Sequence, residues 1–139
     1  MLTHEFSIPI FDFSVQLLQI ETPQDSNPFR EEAVRFGMEK EDIEEECARI
    51  ERDAKNGGNT YHNGKFKRFL VVLYNMTSVE EREQVWAHEK RHIEDRVMQF
   101  CGIDDIETAG YIAGYLGKEF HKLRTKQLYD YQVQNMWQD

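Results

Sequence analysis

The sequence predicts an α+β fold: a small, mostly antiparallel sheet with one long helix packed on it and further helices around. Three observations predict it. Two stretches, Glu5 to Glu21 and Thr60 to Tyr74, carry β-branched and aromatic runs of strand character, the second around Asn63-Gly64, the strongest short hairpin signal. A 3.6-residue apolar period runs through much of the remaining chain. At 139 residues the chain has the length of one domain with a real core, and 1–139 is taken as a single unit.

Phe6 to Phe13 and Val15 to Ile20 form two apolar runs interrupted by Asp12 and Ser14, which fits a hairpin or a bent strand. Thr22 to Pro28, with two prolines and several polar side chains that bond to backbone, is the clearest loop. A helical pattern then runs from Phe29 toward Phe36, pauses at Gly37 and resumes from Glu39 to about Ala54, where Ile43, Cys47, Ile50 and Ala54 share one face. Glu41, Glu44, Glu45, Glu46 and Glu51 crowd the other faces of that helix and read as a solvated surface. Asn56-Gly57-Gly58 ends it, and the Asn63-Gly64 hairpin follows.

Ser78-Val79-Glu80-Glu81 reads as a capping box opening a helix from about Val79 to Phe100, with Gly102 as its stop. Asp104 to Glu107 offers a second capping box before a helix reaching Phe120. Gly110, Ala113, Gly114 and Gly117 are small enough to admit another helix backbone. A final helix is expected from His121 to Met136, with Leu123, Leu128, Tyr131 and Trp137 available for the core.

Composition narrows the function classes. Forty per cent hydrophobic and 31% charged residues describe a globular chain, and the longest apolar run, Phe69 to Tyr74, is far too short to cross a bilayer. The N-terminus lacks the basic start and apolar run of a secretory signal, so a cytoplasmic protein is expected. Cys47 and Cys101 form no Cys-x-x-Cys pair and read as reduced thiols packed as small hydrophobes. A net charge of −9 argues against nucleic acid, and Lys65, Lys67 and Arg68 read as a solvated face.

The chemistry concentrates in Ala87-His88-Glu89-Lys90-Arg91-His92. One helical turn separates His88 from His92, roughly 6 Å along the axis and about 40° around it, so both imidazoles can reach one ion. Neutral imidazole suits Zn2+, and a catalytic zinc keeps one of its four positions open. Glu89 lies beside the pair, where a general base belongs. A third protein ligand is then required. Glu107 is the first carboxylate of the next helix, and it also fits a plain capping residue for Asp104. For it to reach the ion the helices must cross steeply or the first must end early; otherwise Glu119 or His121 is the candidate.

Glu107-Thr108-Ala109-Gly110-Tyr111-Ile112-Ala113-Gly114-Tyr115-Leu116, following His88-Glu89-Lys90-Arg91-His92, resembles small zinc metallopeptidases of the phage or mobile-element type, with a zincin-like fold. The resemblance covers about a quarter of the chain, and Lys90-Arg91 depart from the uncharged residues usual there. It implies His88, His92 and Glu107 as zinc ligands and Glu89 as base. Tyr111 and Tyr115 share a helical face with Glu107 and could hydrogen-bond a developing oxyanion; packing with a wet hydroxyl is the plainer role.

The expected function is therefore metal-assisted hydrolysis of a peptide or protein amide, in which Glu89 takes a proton from water and passes it to the leaving amine. Its rival is a non-catalytic acidic interaction or accessory protein of a mobile element, with at most a structural metal. The strand Lys65 to Tyr74 leads into the metal helix, so one of its edges is expected to border the cleft and accept an extended peptide, unless the N-terminal hairpin covers it.

Overall fold

The computed structural model describes residues 1–136, with side chains described for residues 1–127. It is an α+β domain built on one four-stranded sheet. The strands are β1 (Leu2–Ile8), β2 (Phe13–Gln19), β3 (Gly58–Asn63) and β4 (Arg68–Leu73); the helices are α1 (Ser26–Phe36), α2 (Lys40–Glu51), α3 (Val79–Cys101) and α4 (Ile106–Met136).

The strand order is β1-β2-β4-β3. Both expected hairpins form, with Phe6 opposite Val15 and Tyr61 opposite Leu70. They meet through a central parallel pair, β2 with β4, so the sheet is mixed. Local hairpin signals carry no information about that junction, because parallel neighbours need a long crossover. Here the crossover is α1 and α2, which leave β2 over one face. On that face Leu18, Ile20, Leu70, Val72 and Tyr74 pack with Phe29, Phe36, Ile43 and Ile50. On the other face Phe13, Val15, Leu17, Phe69, Val71 and Leu73 pack with Trp86, Ile93 and Val97 of α3 and Ile112, Leu116, Phe120 and Leu123 of α4. Strand β4 is buried on both faces, hence its unbroken apolar sequence.

The Asn63-Gly64 turn is longer than the two-residue type. Asn63 pairs with Arg68, and Lys67 adopts a φ of 52°. The Lys67 ammonium donates to the Phe11 carbonyl at 3.2 Å and lies over the rings of Phe13 and Phe100. Arg68 lies over Phe36. These cations close the end of the sheet over aromatic rings rather than forming a solvated patch.

Ser78 caps α3 by accepting from the Glu81 amide at 3.1 Å, and Gly102, at a φ of 64°, ends it in the left-handed conformation that glycine tolerates. The cap of α4 is Asp105, one residue later than expected, accepting from the amides of Glu107 and Thr108 and from the Thr108 hydroxyl. Instead of two helices, α4 is continuous through the Phe120–His121 junction. Its small residues do not admit a neighbour among the described residues: a Cβ at Gly110, Gly114 or Gly117 would meet nothing within 4 Å. Of the residues expected in the last part of the core, Leu123 is buried; the side chains of Leu128 and Tyr131, and Trp137, lie outside the described residues. Cys47 is buried as expected, whereas Cys101 is exposed at the end of α3. No described helix is long and apolar enough to cross a membrane.

Candidate metal centre

Helix α3 lies over the β3 side of the sheet and α4 over the β1 side. On α4, the Tyr115 hydroxyl donates to the Ser7 carbonyl at 2.9 Å, Lys126 donates to the Thr3 carbonyl at 2.6 Å, and Glu119 pairs with His4 at 2.6 Å, all on β1. Around α3, Trp86, Ile93 and Val97 point into the core. Taking Trp86 as zero, 100° per residue places Lys90 roughly 40° to one side, Glu89 roughly 60° to the other, and His92 and His88 further round in Glu89's direction. The Lys90 ammonium sits 5.8 Å from the Phe120 ring of α4. The two histidines thus face the β3 flank, away from α4, and Lys90 is the charged residue that tolerates the helix–helix contact by laying its stem along it.

On that flank three side chains converge. His88 Nε2 and His92 Nε2 are 3.0 Å apart with rings nearly perpendicular, and the Glu89 carboxylate joins them, the potential ligand atoms all lying within 4.8 Å of one another. Two nitrogens at zinc–imidazole bond length and tetrahedral angle would be separated by about 3.3 Å, so the pair fits that ion with little adjustment. Both histidines are exposed; Glu89 is 2% exposed. A buried carboxylate needs partners, and β3 supplies one: the Thr60 hydroxyl donates to Glu89 Oε2 at 2.5 Å.

Gly58 lets β3 pass close to β4 beneath the helix. A Cβ there would stand 2.7 Å from the Val72 carbonyl oxygen, 3.2 Å from Leu73 and 3.5 Å from Glu89 Cγ. A groove of about 340 Å³ opens between the two elements, lined by Gly57 and Gly58 on one wall and Gln84, Val85, His88 and Glu89 on the other.

Glu107 is not part of this cluster. It is exposed in the first turn of α4, and among the described residues the only carboxylate gathered with the two histidines is Glu89. The cause is topological: α4 turns back over β1, while the histidines face the opposite flank. Tyr111 goes with Glu107; it is 46% exposed and lines a shallow apolar groove with Gly114 and Tyr115. Glu119 is committed to His4 and, at 2.9 Å, to Lys122; these bonds outweigh the burial that opposes its ionisation and hold its carboxyl below the usual range. His121 is exposed on α4 and outside the cluster.

Two positioning elements escaped the sequence reading. One is Thr60. The other is Glu46, which the acidic pattern of α2 assigns to solvent and which is 0% exposed. Its carboxylate accepts from Tyr61 Oη at 2.6 Å, from Arg49 at 2.9 Å, and from Tyr74 Oη and the Asn59 amide. Burial, then the Glu46 carboxylate, pushes both phenols well above their ordinary range, so both remain donors. Strand β3 is therefore held from below by Glu46 through Asn59 and Tyr61, and from above by Glu89 through Thr60. The signal was present: Glu46 falls on the stripe Ile43, Cys47, Ile50.

The expected peptide edge also moves. Strand β4 is interior, covered on one side by β2 of the N-terminal hairpin and on the other by β3, so the edge beside α3 belongs to β3. Tyr74 N donates to Gly57 O at 2.9 Å, which fixes the alternation of the antiparallel ladder. Asn59, Tyr61 and Asn63 then bond to β4, and the main-chain groups of Gly58, Thr60 and His62 point outward.

Comparison of the chain with protein-family models, curated proteins and solved structures found no match.

Proposed function

We propose that the chain is a zinc-dependent hydrolase of peptide bonds, with His88 and His92 as the two ligands that α3 supplies, no third protein ligand gathering with them among the described residues, and Glu89 acting as general base. The observation that carries this reading is the convergence of the two imidazoles at 3.0 Å with a buried carboxylate anchored on the neighbouring strand. When bound, zinc supplies Lewis acidity, polarising a carbonyl and making water easier to deprotonate. Glu89, with Oε2 held by Thr60, keeps Oε1 available to take a proton from water and deliver it to the departing amine. An extended peptide fits the outward main-chain groups of Gly58, Thr60 and His62, a pairing that would lay its backbone along the groove bordered by His88 and Glu89.

A second reading has support from the same cluster. Because Glu89 is the carboxylate beside the histidines, it could itself complete a His-Glu-His ligand set, and the site would then bind metal without having a base. Metal content and hydrolysis of a fluorogenic peptide pool by His88→Ala, Glu89→Gln and the parent separate the two. The proposal expects one zinc per chain in the parent, loss of zinc in His88→Ala, and a Glu89→Gln variant that keeps zinc and loses hydrolysis. Zinc lost from Glu89→Gln supports the ligand reading instead. Stoichiometric zinc in a His88→Ala, His92→Ala double variant would remove both.

A further inference from the structure

A second site lies at the amino end of α3, on a different face of the helix from the groove beside His88. Strands β2 and β4 are parallel neighbours, and the chain leaves them in opposite directions: after β2 it covers one face of the sheet with α1 and α2, after β4 the other with α3 and α4. A sheet whose adjacent parallel strands diverge in this way opens a crevice beyond their carboxyl ends, and ligands of open α/β sheets bind in such crevices. Here it holds about 330 Å³, the lower end of the range for small-molecule sites.

Its walls carry donors. The first turn of α3, capped at Ser78, contributes the positive end of the helix dipole. Arg82 from α3 and Arg124 from α4 contribute two guanidinium groups. Trp86, 4% exposed, stands on the same wall, and its indole N–H is buried with no acceptor among the described residues. Arg82 Nε is likewise buried and unpaired, although Arg82 also donates to Glu83 at 3.0 Å through its terminal nitrogen. Native proteins rarely leave buried donors unpaired, and two on one crevice wall point to an acceptor that occupies it. Among the described residues the neighbouring acids do not supply one: Glu83 engages Arg82 from the exposed side, and Glu81 lines the separate groove beside His88.

We propose that this crevice binds a phosphate group, free or carried by a small ester, through Arg82, Arg124, the Trp86 indole N–H and the amino end of α3. Two guanidinium charges and a helix end match a phosphate dianion better than a singly charged carboxylate. A crevice of this size on a chain of net charge −9 suits a small ligand, not a nucleic-acid strand.

The test is a titration of the 15N-labelled full chain with inorganic phosphate, with ribose 5-phosphate and with acetate, following the Trp86 indole N–H resonance. Trp137, assigned through Trp137→Phe, serves as the second indole. The expected result is a saturable shift of Trp86 with both phosphates, with acetate at least about tenfold weaker. Arg124→Gln should weaken phosphate binding by about tenfold or more, the scale of losing one charge-assisted bond; Arg124 is half-buried, so the variant should fold. Tighter binding of the ester assigns the site to a phosphorylated small molecule, and tighter binding of the inorganic ion assigns it to free phosphate. No saturable shift, equal binding of acetate, or unchanged affinity in Arg124→Gln overturns the proposal. Zinc content plays no part in the readout.

Discussion

Replacing Glu46 tests how β3 is held. The Glu46 carboxylate takes hydrogen bonds from Tyr61, Tyr74, Asn59 and Arg49 at a fully buried position. In Glu46→Ala the Arg49 guanidinium, 32% exposed, can turn to water, and Asn59 is half-buried. The two phenols cannot both do so; Tyr74 is 4% exposed. A buried donor left without a partner costs about 1–3 kcal/mol, and deleting buried side-chain volume adds to this, so Glu46→Ala should lose about 3–5 kcal/mol. Glu46→Gln keeps the shape and one acceptor oxygen and should lose about 1–2 kcal/mol. Urea denaturation followed by circular dichroism measures both losses; the midpoint should fall with the slope unchanged, because the same surface is exposed on unfolding. A loss below about 1 kcal/mol in Glu46→Ala would refute the reasoning, since the tyrosines would then have found other partners at little cost.

Four further outcomes follow from the geometry. Gly58→Ala should destabilise the chain by about 1–3 kcal/mol in the same urea assay, because the added Cβ meets the Val72 carbonyl at 2.7 Å. Thr60→Val, which removes the hydroxyl bonded to Glu89, should cost about 1.5–3 kcal/mol, with Thr60→Ser recovering most of it. Glu107→Gln should bind zinc as tightly as the parent in a calorimetric titration, because Glu107 sits on the far flank. His62 is held below its ordinary value of 6.5 by burial and by the positive charge of Arg96. The unfolded chain therefore takes up a proton first as pH falls below about 6.5, and this contribution to stability, complete above that pH, is lost below it. Thermal melts of the parent should show that loss between about pH 7 and pH 5, and His62→Phe should show less of it.

The local elements were legible in the sequence because their causes are local. Ser78 with Glu81 marks the start of α3, Gly102 its end, and alternation marks the hairpins. The parallel junction of β2 and β4 was not, since nothing in either strand names a partner 54 positions away, Ser14 against Arg68. The placement of α4 over β1 was hidden for the same reason, and with it the fact that Glu107 and Tyr111 are carried away from His88 and His92. The motif gave the two histidines and Glu89 but not Thr60, whose relevance depends on β3 being the edge strand. Buried acids had a readable signature. Glu46 lies among Ile43, Cys47 and Ile50, Glu89 among Trp86, Ile93 and Val97, and Glu119 among Leu116, Phe120 and Leu123. Each occupies a slot in an apolar stripe, where a charged residue must find a partner or unfold the face.

The central parallel pair also governs when the chain can fold. Joining Ser14 to Arg68 closes a loop of 54 positions, entropically dearer than the four-residue Gly64 to Lys67 hairpin loop by about 2 kcal/mol. During synthesis, the β1–β2 hairpin and the helices that follow it emerge first, yet Leu17 and Leu18 of β2, on opposite faces, gain their central neighbour only once Val71 and Val72 have left the ribosome. At about 5–20 residues per second, that interval lasts several seconds, during which the inner edge of β2 stands open. A slow, concentration-sensitive phase in refolding should therefore trace to this strand rather than to either hairpin.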